Sequence, residues 1–245
     1  MLDPATLAWV AMVAFVAATI GGLGGFGTSV ILTAVLIPIV GVKAVVPLLS
    51  VAGVVINGGR MFFNRDAIDW KTTRTVLLTA MPATFLGVIV FAMLPARTLQ
   101  IVLAVFVAAV VPLRRWAAHR QWRLQTTGLA VGGGVFGFLS GIVSGTGVLL
   151  ISVLLATGMP GAAIIATDAT ISLFNDLFRV AVFGGYSLLD AQTLASGAII
   201  GVMTIPGSAF ARWLMTRMSA RLHIAFIEGL LLLAAAWLIV SAIRG

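Results

Sequence analysis

Long apolar runs follow one another along nearly the whole chain, and they restrict the fold more than any other feature of the sequence. The runs cover residues 5–23, 27–41, 44–63, 75–95, 98–113, 127–143, 147–158, 160–185, 191–214 and 222–243. Most are long enough to cross a bilayer, whose hydrocarbon core needs about 20 apolar residues per helical span. We therefore predict an all-α polytopic membrane protein with about 8–10 transmembrane segments.

The charged residues are too few to form a water-facing surface. They make up 9% of the chain, whereas soluble domains carry about 25%. The formal net charge of +8 would suit a nucleic-acid partner, but the positive residues lie in short loops between apolar runs, where membrane topology explains them. We exclude nucleic acid and expect the lipid bilayer as partner. Because residues 1–10 lack a basic region, we expect the first apolar run to be retained rather than cleaved.

Several kinds of site are disfavoured by residue type. The chain has no cysteine, which excludes disulfides and thiolate metal sites. His119 and His223 are too few for a dedicated metal site, and we predict no metal and no cofactor. The stretch GLGGFG at 22–27 matches a dinucleotide fingerprint, but a membrane span precedes it instead of a strand. An intramembrane serine peptidase would need a Ser–His pair at membrane depth, and His223 lies near the end of a run. We therefore predict no catalytic residues.

Two related halves make up the chain. Glycines, prolines and polar residues recur in the same order, offset by 119 to 124 positions. The matched pairs are Gly21 and Gly141, Gly25 and Gly145, Gly27 and Gly147, Gly41 and Gly161, Asn57 and Asp176, Arg60 and Arg179, Pro82 and Pro206, and Arg97 and Arg221. We predict a first membrane repeat over 1–113, a basic linker over 114–126 and a second repeat over 127–245.

The positive residues also predict an orientation, because cytoplasmic loops of membrane proteins are rich in Lys and Arg. With the linker in the cytoplasm, alternation puts two further basic loops on the same side. Their residues are Arg65, Lys71 and Arg74, and Arg212, Arg217 and Arg221; the opposite side has Lys43, Arg97 and Arg244. Both termini then lie outside, and each half crosses an odd number of times. We therefore predict that the second repeat is inverted relative to the first, in a bacterial inner membrane.

Two of the runs, 27–41 and 147–158, are short, and each follows a glycine-rich stretch. Short, glycine-broken segments at matching positions of inverted repeats are typical of secondary transporters. A helix that begins inside the membrane offers free N–H groups and a positive dipole end, which favour an anion. The predicted anion ligands at the two helix starts are Gly25, Gly27, Thr28 and Ser29, and Gly145, Thr146 and Gly147. The alternative is that these glycines only let helices pack closely.

Ionisable residues inside apolar runs form the second part of the predicted site. We expect Asn57, Arg60, Asn175 and Arg179 to bind substrate, because guanidinium groups present forked donors to oxyanions. We expect Asp168 and Asp176 to carry protons for coupling. The alternatives are that Asp176 and Arg179 form a structural pair, that Arg60 snorkels to the interface, and that Asp168 is only hydrogen-bonded to Thr167 or Thr170.

Both glycine-rich segments resemble a known family. The stretch GGLGGFGTSVILTAVLIPIVGVKAVVPLLSVAG (21–53) looks like the signature of the TauE/SafE sulfite exporter family, and GFLSGIVSGTGVLLISVLLATGMPGAAIIATDATISL (137–173) is similar to its second copy. Phe26 interrupts the usual run of three glycines. The resemblance implies export of sulfite or of small organosulfonates such as sulfoacetate.

Together these features predict a secondary transporter that exports a small sulfur-containing anion, coupled to protons or to the membrane potential. A homodimer is compatible with this architecture. The alternatives are a passive anion channel on the same fold, an intramembrane enzyme, and a purely structural membrane partner in which Arg60 and Arg179 are dispensable.

Overall fold

The computed structural model describes residues 4–24, 28–120 and 124–215, and in these ranges the chain is built from α-helices. The helices are α1 Pro4–Gly24, α2 Thr28–Val40, α3 Val42–Asn64, α4 Trp70–Met93, α5 Ala96–Arg120, α6 Thr126–Ile142, α7 Gly147–Leu155, α8 Gly161–Gly185 and α9 Ala191–Met215, with a short 3-10 helix Arg65–Ala67 after α3. The all-α prediction is confirmed. The run 222–243, the residues Gly25, Gly27, Arg217 and Arg221, and both termini lie outside the described residues.

Apolar helices with exposed apolar side chains identify the fold as a polytopic membrane protein. In the described ranges, three helices are long and apolar enough to cross a membrane: Val42–Ala67, Trp70–Met93 and Ala191–Ala211. Leu78, Met93 and Val105 are each more than 60% exposed. Large apolar patches are disfavoured on a surface that faces water, so lipid is the medium that suits these side chains.

Both short runs form short helices. α2 has 13 residues, and α7 has nine, which is about 13 Å of helix. A left-handed glycine follows each of them: Gly41 with φ of 79° and Gly158 with φ of 75°. The sequence comparison paired Gly41 with Gly161, but Gly161 is the first residue of α8. α5 continues to Arg120, so it includes the first part of the predicted linker.

The two halves pack mainly against each other. α4 lies along α6, α1 lies along α9, and α3 crosses α8. α3 also packs against α9, as α8 does against α4. If α1, α2, α3 and α4 are matched in order with α6, α7, α8 and α9, each of these helix pairs becomes a pair of the same set. Two repeats related by a pseudo-twofold axis would give this pattern. The inversion of the second repeat stays a prediction.

Glycines bring the backbones of α4 and α6 into contact. A Cβ added to Gly137 would lie 2.6 Å from the Cα of Ala80, and one added to Gly141 would lie 2.7 Å from the Cα of Gly87. Small residues four apart are the usual means of close approach between membrane helices. Close packing is therefore the role of these two α6 glycines, which are not among the predicted anion ligands.

The same cap begins α4 and α9. The Asp69 carboxylate accepts a hydrogen bond from the backbone N–H of Thr72 at 3.2 Å, and the Asp190 carboxylate accepts one from that of Thr193 at 2.6 Å. Hydrogen bonds from Thr193 lower the pKa of Asp190 below its usual value. An Asp at the N-cap satisfies free N–H groups of the first turn. This Asp-x-x-Thr repeat, 121 residues apart, is a further match between the halves.

Candidate anion-binding site

The crossing of α3 and α8 brings polar side chains of both halves together. The Asn57 side-chain amide donates to Asp176 Oδ2 at 3.0 Å. Gly53, one turn earlier on α3, lies against the same carboxylate, and a Cβ at Gly53 would overlap it. Position 53 therefore has to be small for Asp176 to occupy its place between the helices.

One hydrogen-bonded network joins five of the residues that the sequence singled out. Asp168 binds Arg60 Nη2 at 2.9 Å, and Arg60 Nη1 donates to Asn57 Oδ1 at 3.1 Å. Asn57 donates to Asp176, which binds Arg179 Nη1 at 3.1 Å. The eleven steps from Asp168 to Arg179 span about 16 Å along α8, so the network follows the helix through much of the protein.

The network answers two of the open alternatives. Arg60 is paired inside the protein rather than only reaching for the interface, although 32% of its side chain is exposed. Asp168 is not bound by its neighbours in sequence: Thr167 accepts the Asp69 backbone N–H, and Thr170 donates to a backbone carbonyl of its own helix. A buried carboxylate needs a cation or several hydrogen-bond donors. For Asp168 that cation is Arg60, which belongs to the other half of the chain.

Arg179 is only partly paired. Its Nη1 binds Asp176, which lies three residues earlier on the same helix. Its Nε and Nη2 are buried and have no hydrogen-bond partner. Buried polar groups are almost always paired, and a charged donor without a partner costs more than the ~1–3 kcal/mol of a neutral one. The Nε–H and the neighbouring Nη2–H lie in the guanidinium plane and point outward from the same edge, so this edge is a fork that fits two oxygens of one oxyanion.

The starts of the two short helices lie close together. Gly145, with φ of 89°, precedes α7, and a Cβ there would lie 2.5 Å from Cγ2 of Val30 and 3.7 Å from its backbone nitrogen. Val30 is the third residue of α2. In the break before α7, the buried Ser144 hydroxyl has no hydrogen-bond partner. Thr28 and Ser29 begin α2, Thr146 and Gly147 begin α7, and the predicted ligands Gly25 and Gly27 lie outside the described residues.

Asn175 faces a different set of partners from the rest of the predicted site. Its carbonyl oxygen accepts from the Thr84 hydroxyl of α4 at 2.7 Å, and its amide donates to the Ser140 hydroxyl of α6 at 2.5 Å. It therefore fixes α8 against the α4–α6 pair, and its predicted substrate role stays a prediction. The sequence does not single out Thr84 or Ser140, because hydroxyl residues are common between membrane helices.

Comparison with known protein families assigns the chain to one of them. It matches the profile of the family described as Sulfite exporter TauE/SafE over residues 10–238. This chain belongs to the TauE/SafE sulfite exporter family. The resemblance found in the two glycine-rich segments is thereby confirmed. No curated protein and no solved structure matches the chain.

Members of the TauE/SafE family are membrane transporters for sulfur-containing anions, not enzymes. The matched residues include the whole polar network and both short helices. The free Nε and Nη2 donors of Arg179 are of the kind that binds oxyanions, the class of solute that this family exports.

Proposed function

We propose that this protein is a secondary transporter that exports a small sulfur-containing oxyanion, sulfite or an organosulfonate such as sulfoacetate, across the bacterial inner membrane. The observation that carries this proposal is the buried edge of Arg179, whose Nε and Nη2 donors have no partner. Two oxygens on one sulfur match that pair of donors, and a charge-assisted fork is the strongest arrangement available to a single side chain.

Asp176 prepares Arg179 for this role. By holding Nη1 at 3.1 Å, it fixes the guanidinium plane before the anion arrives. The arginine then loses little conformational freedom on binding, which favours affinity. Asn57 holds the other oxygen of the same carboxylate, so Asp176 is held from both helices of the crossing.

We propose that the start of α7 provides a second set of contacts to the anion. Free N–H groups and the dipole of a helix start favour negative charge. The adjacent Ser144 hydroxyl is buried without a partner, and the neighbouring start of α2 approaches through Val30. We therefore keep both helix starts, with Thr28, Ser29 and Gly145–Gly147, in the proposed binding region.

Export requires a driving force, and we propose the membrane potential or a coupled proton. A potential that is negative inside favours outward movement of an anion by about 2.3 kcal/mol per charge for each 100 mV. Asp168 and Asp176 are the proposed proton sites. Protonation of either one would leave its arginine with less negative charge nearby, so proton binding and anion binding should favour each other.

The test is transport of radiolabelled sulfite and sulfoacetate by the purified protein in liposomes, under an imposed potential or an imposed pH gradient. We expect saturable flux that protein-free liposomes lack, and faster flux of label when unlabelled anion is present on the opposite side. A flux that rises linearly with concentration and shows no such acceleration would favour the channel alternative. If no small anion moves under either gradient, the proposed function is wrong.

A further inference from the structure

The two arginines of the network have the same local arrangement. Arg60 Nη1 donates to Asn57 on α3 at 3.1 Å, and Arg179 Nη1 donates to Asp176 on α8, also at 3.1 Å. In both cases the acceptor lies three residues earlier on the same helix. The two crossing helices therefore hold their guanidinium groups in the same way, one in each half of the chain.

The two arginines differ in what the opposite helix provides. Arg60 Nη2 binds the Asp168 carboxylate of α8 at 2.9 Å, whereas Arg179 Nη2 has no hydrogen-bond partner.

The helix that crosses α8 offers no such group to Arg179. α3 contains no Asp or Glu among its residues Val42–Asn64. It therefore provides no carboxylate for Arg179, whereas α8 provides Asp168 for Arg60.

We infer that Asp168 is a built-in anion: its carboxylate occupies at Arg60 the place that the transported oxyanion occupies at Arg179. Arg60 is then a second anion site, which is closed while Asp168 is bound there and opens when Asp168 leaves. This inference rests on the proposed function, and it adds a second binding site for the anion within the same hydrogen-bonded network.

Two further observations support an exchangeable role for Asp168. The carboxylate is held through Oδ2 alone, since its buried Oδ1 has no hydrogen-bond partner. Arg60 is also the more accessible arginine, with 32% of its side chain exposed against 6% for Arg179. An oxyanion that reaches Arg60 would compete with the Asp168 carboxylate for the guanidinium group. The free edge of Arg179 would then be open to bind the same anion next.

The first test counts bound anions. Equilibrium dialysis of the purified full chain with radiolabelled sulfite should give a single sulfite per chain for the wild type. Asp168→Asn keeps the shape of the side chain but removes its charge, and we expect it to bind a second sulfite. Asp66→Asn is the matched control, because the Asp66 side chain is fully exposed; it should bind as the wild type does. Gel filtration checks that each variant is folded.

A wild type that binds sulfite and an Asp168→Asn variant that binds no more of it would overturn the inference and leave the proposed function standing. A folded wild type that binds no sulfite would overturn both.

The second test removes the arginine of the inferred second site. Arg60→Gln, added to Asp168→Asn, should return the count from two bound sulfites to one, because the second anion is expected to bind Arg60 in place of Asp168. Arg97→Gln in the same background is the matched control, since Arg97 is exposed at the start of α5; it should still bind two. A folded Arg60→Gln double variant that binds as much sulfite as this control would overturn the inference.

Discussion

Arg179 carries a buried positive charge of which only one of three nitrogens is paired. Its pairing with Asp176 could be predicted, because residues three apart on a helix lie on one face. The pairing of Arg60 with Asp168 could not, since the two are 108 residues apart, and spacing along one helix does not determine the register between two. The sequence therefore indicated which residues matter but not which of them hold one another.

Substituting lysine for Arg179 tests the fork itself. Arg179→Lys keeps the charge but replaces two parallel donors by a single ammonium group, which cannot bind two oxygens in the same geometry. We expect the initial rate of sulfite uptake into liposomes to fall about 10- to 100-fold, which corresponds to the free energy of one charge-assisted hydrogen bond. Arg97→Lys, at an exposed position at the start of α5, is the control and should transport normally. Normal uptake by Arg179→Lys would show that the fork is not used.

Gly53 tests whether Asp176 must be fixed in place. In Gly53→Ala the added methyl group overlaps the Asp176 carboxylate, which must rotate away from Asn57 and Arg179. We expect sulfite uptake to drop by about 10-fold or more, as for other small displacements of binding groups, and the melting temperature to fall, because a buried ion pair is broken. Gly59→Ala is the control on the same helix, because nothing lies within 4 Å of the added Cβ. Equal transport rates for the two variants would mean that the position of Asp176 is unimportant.

Glycines have two different roles among the helices of this fold. Those of α6 that face α4 allow backbone contact, as at Gly137 against Ala80, whereas Gly145 takes a left-handed conformation in the break before α7. The sequence could not separate these roles, because close packing and unusual backbone angles both require the absence of a Cβ. The short helices, in contrast, were predicted from run length alone, and α2 and α7 confirm them.

The α4–α6 contact can be tested with two neighbouring glycines. In Gly137→Ala the new Cβ would lie 2.6 Å from the Cα of Ala80, so the helices must separate, at an expected cost of about 1–3 kcal/mol. Gly134→Ala, on the same helix, has nothing within 4 Å of the Cβ and should be neutral or stabilise the helix by up to ~1 kcal/mol. Melting temperatures of the purified variants check this, and a melting temperature of Gly137→Ala as high as that of Gly134→Ala would contradict the described packing.

At the level of the whole molecule, the two halves are intertwined. The principal helix pairs join α4 to α6 and α1 to α9, so each half provides a helix for the other to pack against. The two-repeat pattern was visible in the sequence through matched glycines and arginines, and the Asp-x-x-Thr caps at Asp69 and Asp190 were a further signal. The pairing across halves was not predictable, because it depends on how two similar apolar surfaces fit together.

The inversion of the second repeat can be tested by single cysteines, for which the absence of native cysteine leaves no background. Lys71 and Gln192 are both exposed second residues of their helices, α4 and α9, and occupy equivalent positions after the Asp caps. We expect a membrane-impermeant thiol reagent to label Lys71→Cys and Gln192→Cys from opposite sides of the membrane. Labelling of both from the same side would mean that the repeats are parallel.

We propose that the transported oxyanion binds the free edge of Arg179. A crystal structure with bound selenite, a heavier analogue of sulfite, can locate the anion, because the anomalous signal of selenium marks its position. We expect a selenium peak that places two oxygens within hydrogen-bond distance of Nε and Nη2 of Arg179. A selenium peak elsewhere, with that edge still unoccupied, would contradict binding at Arg179.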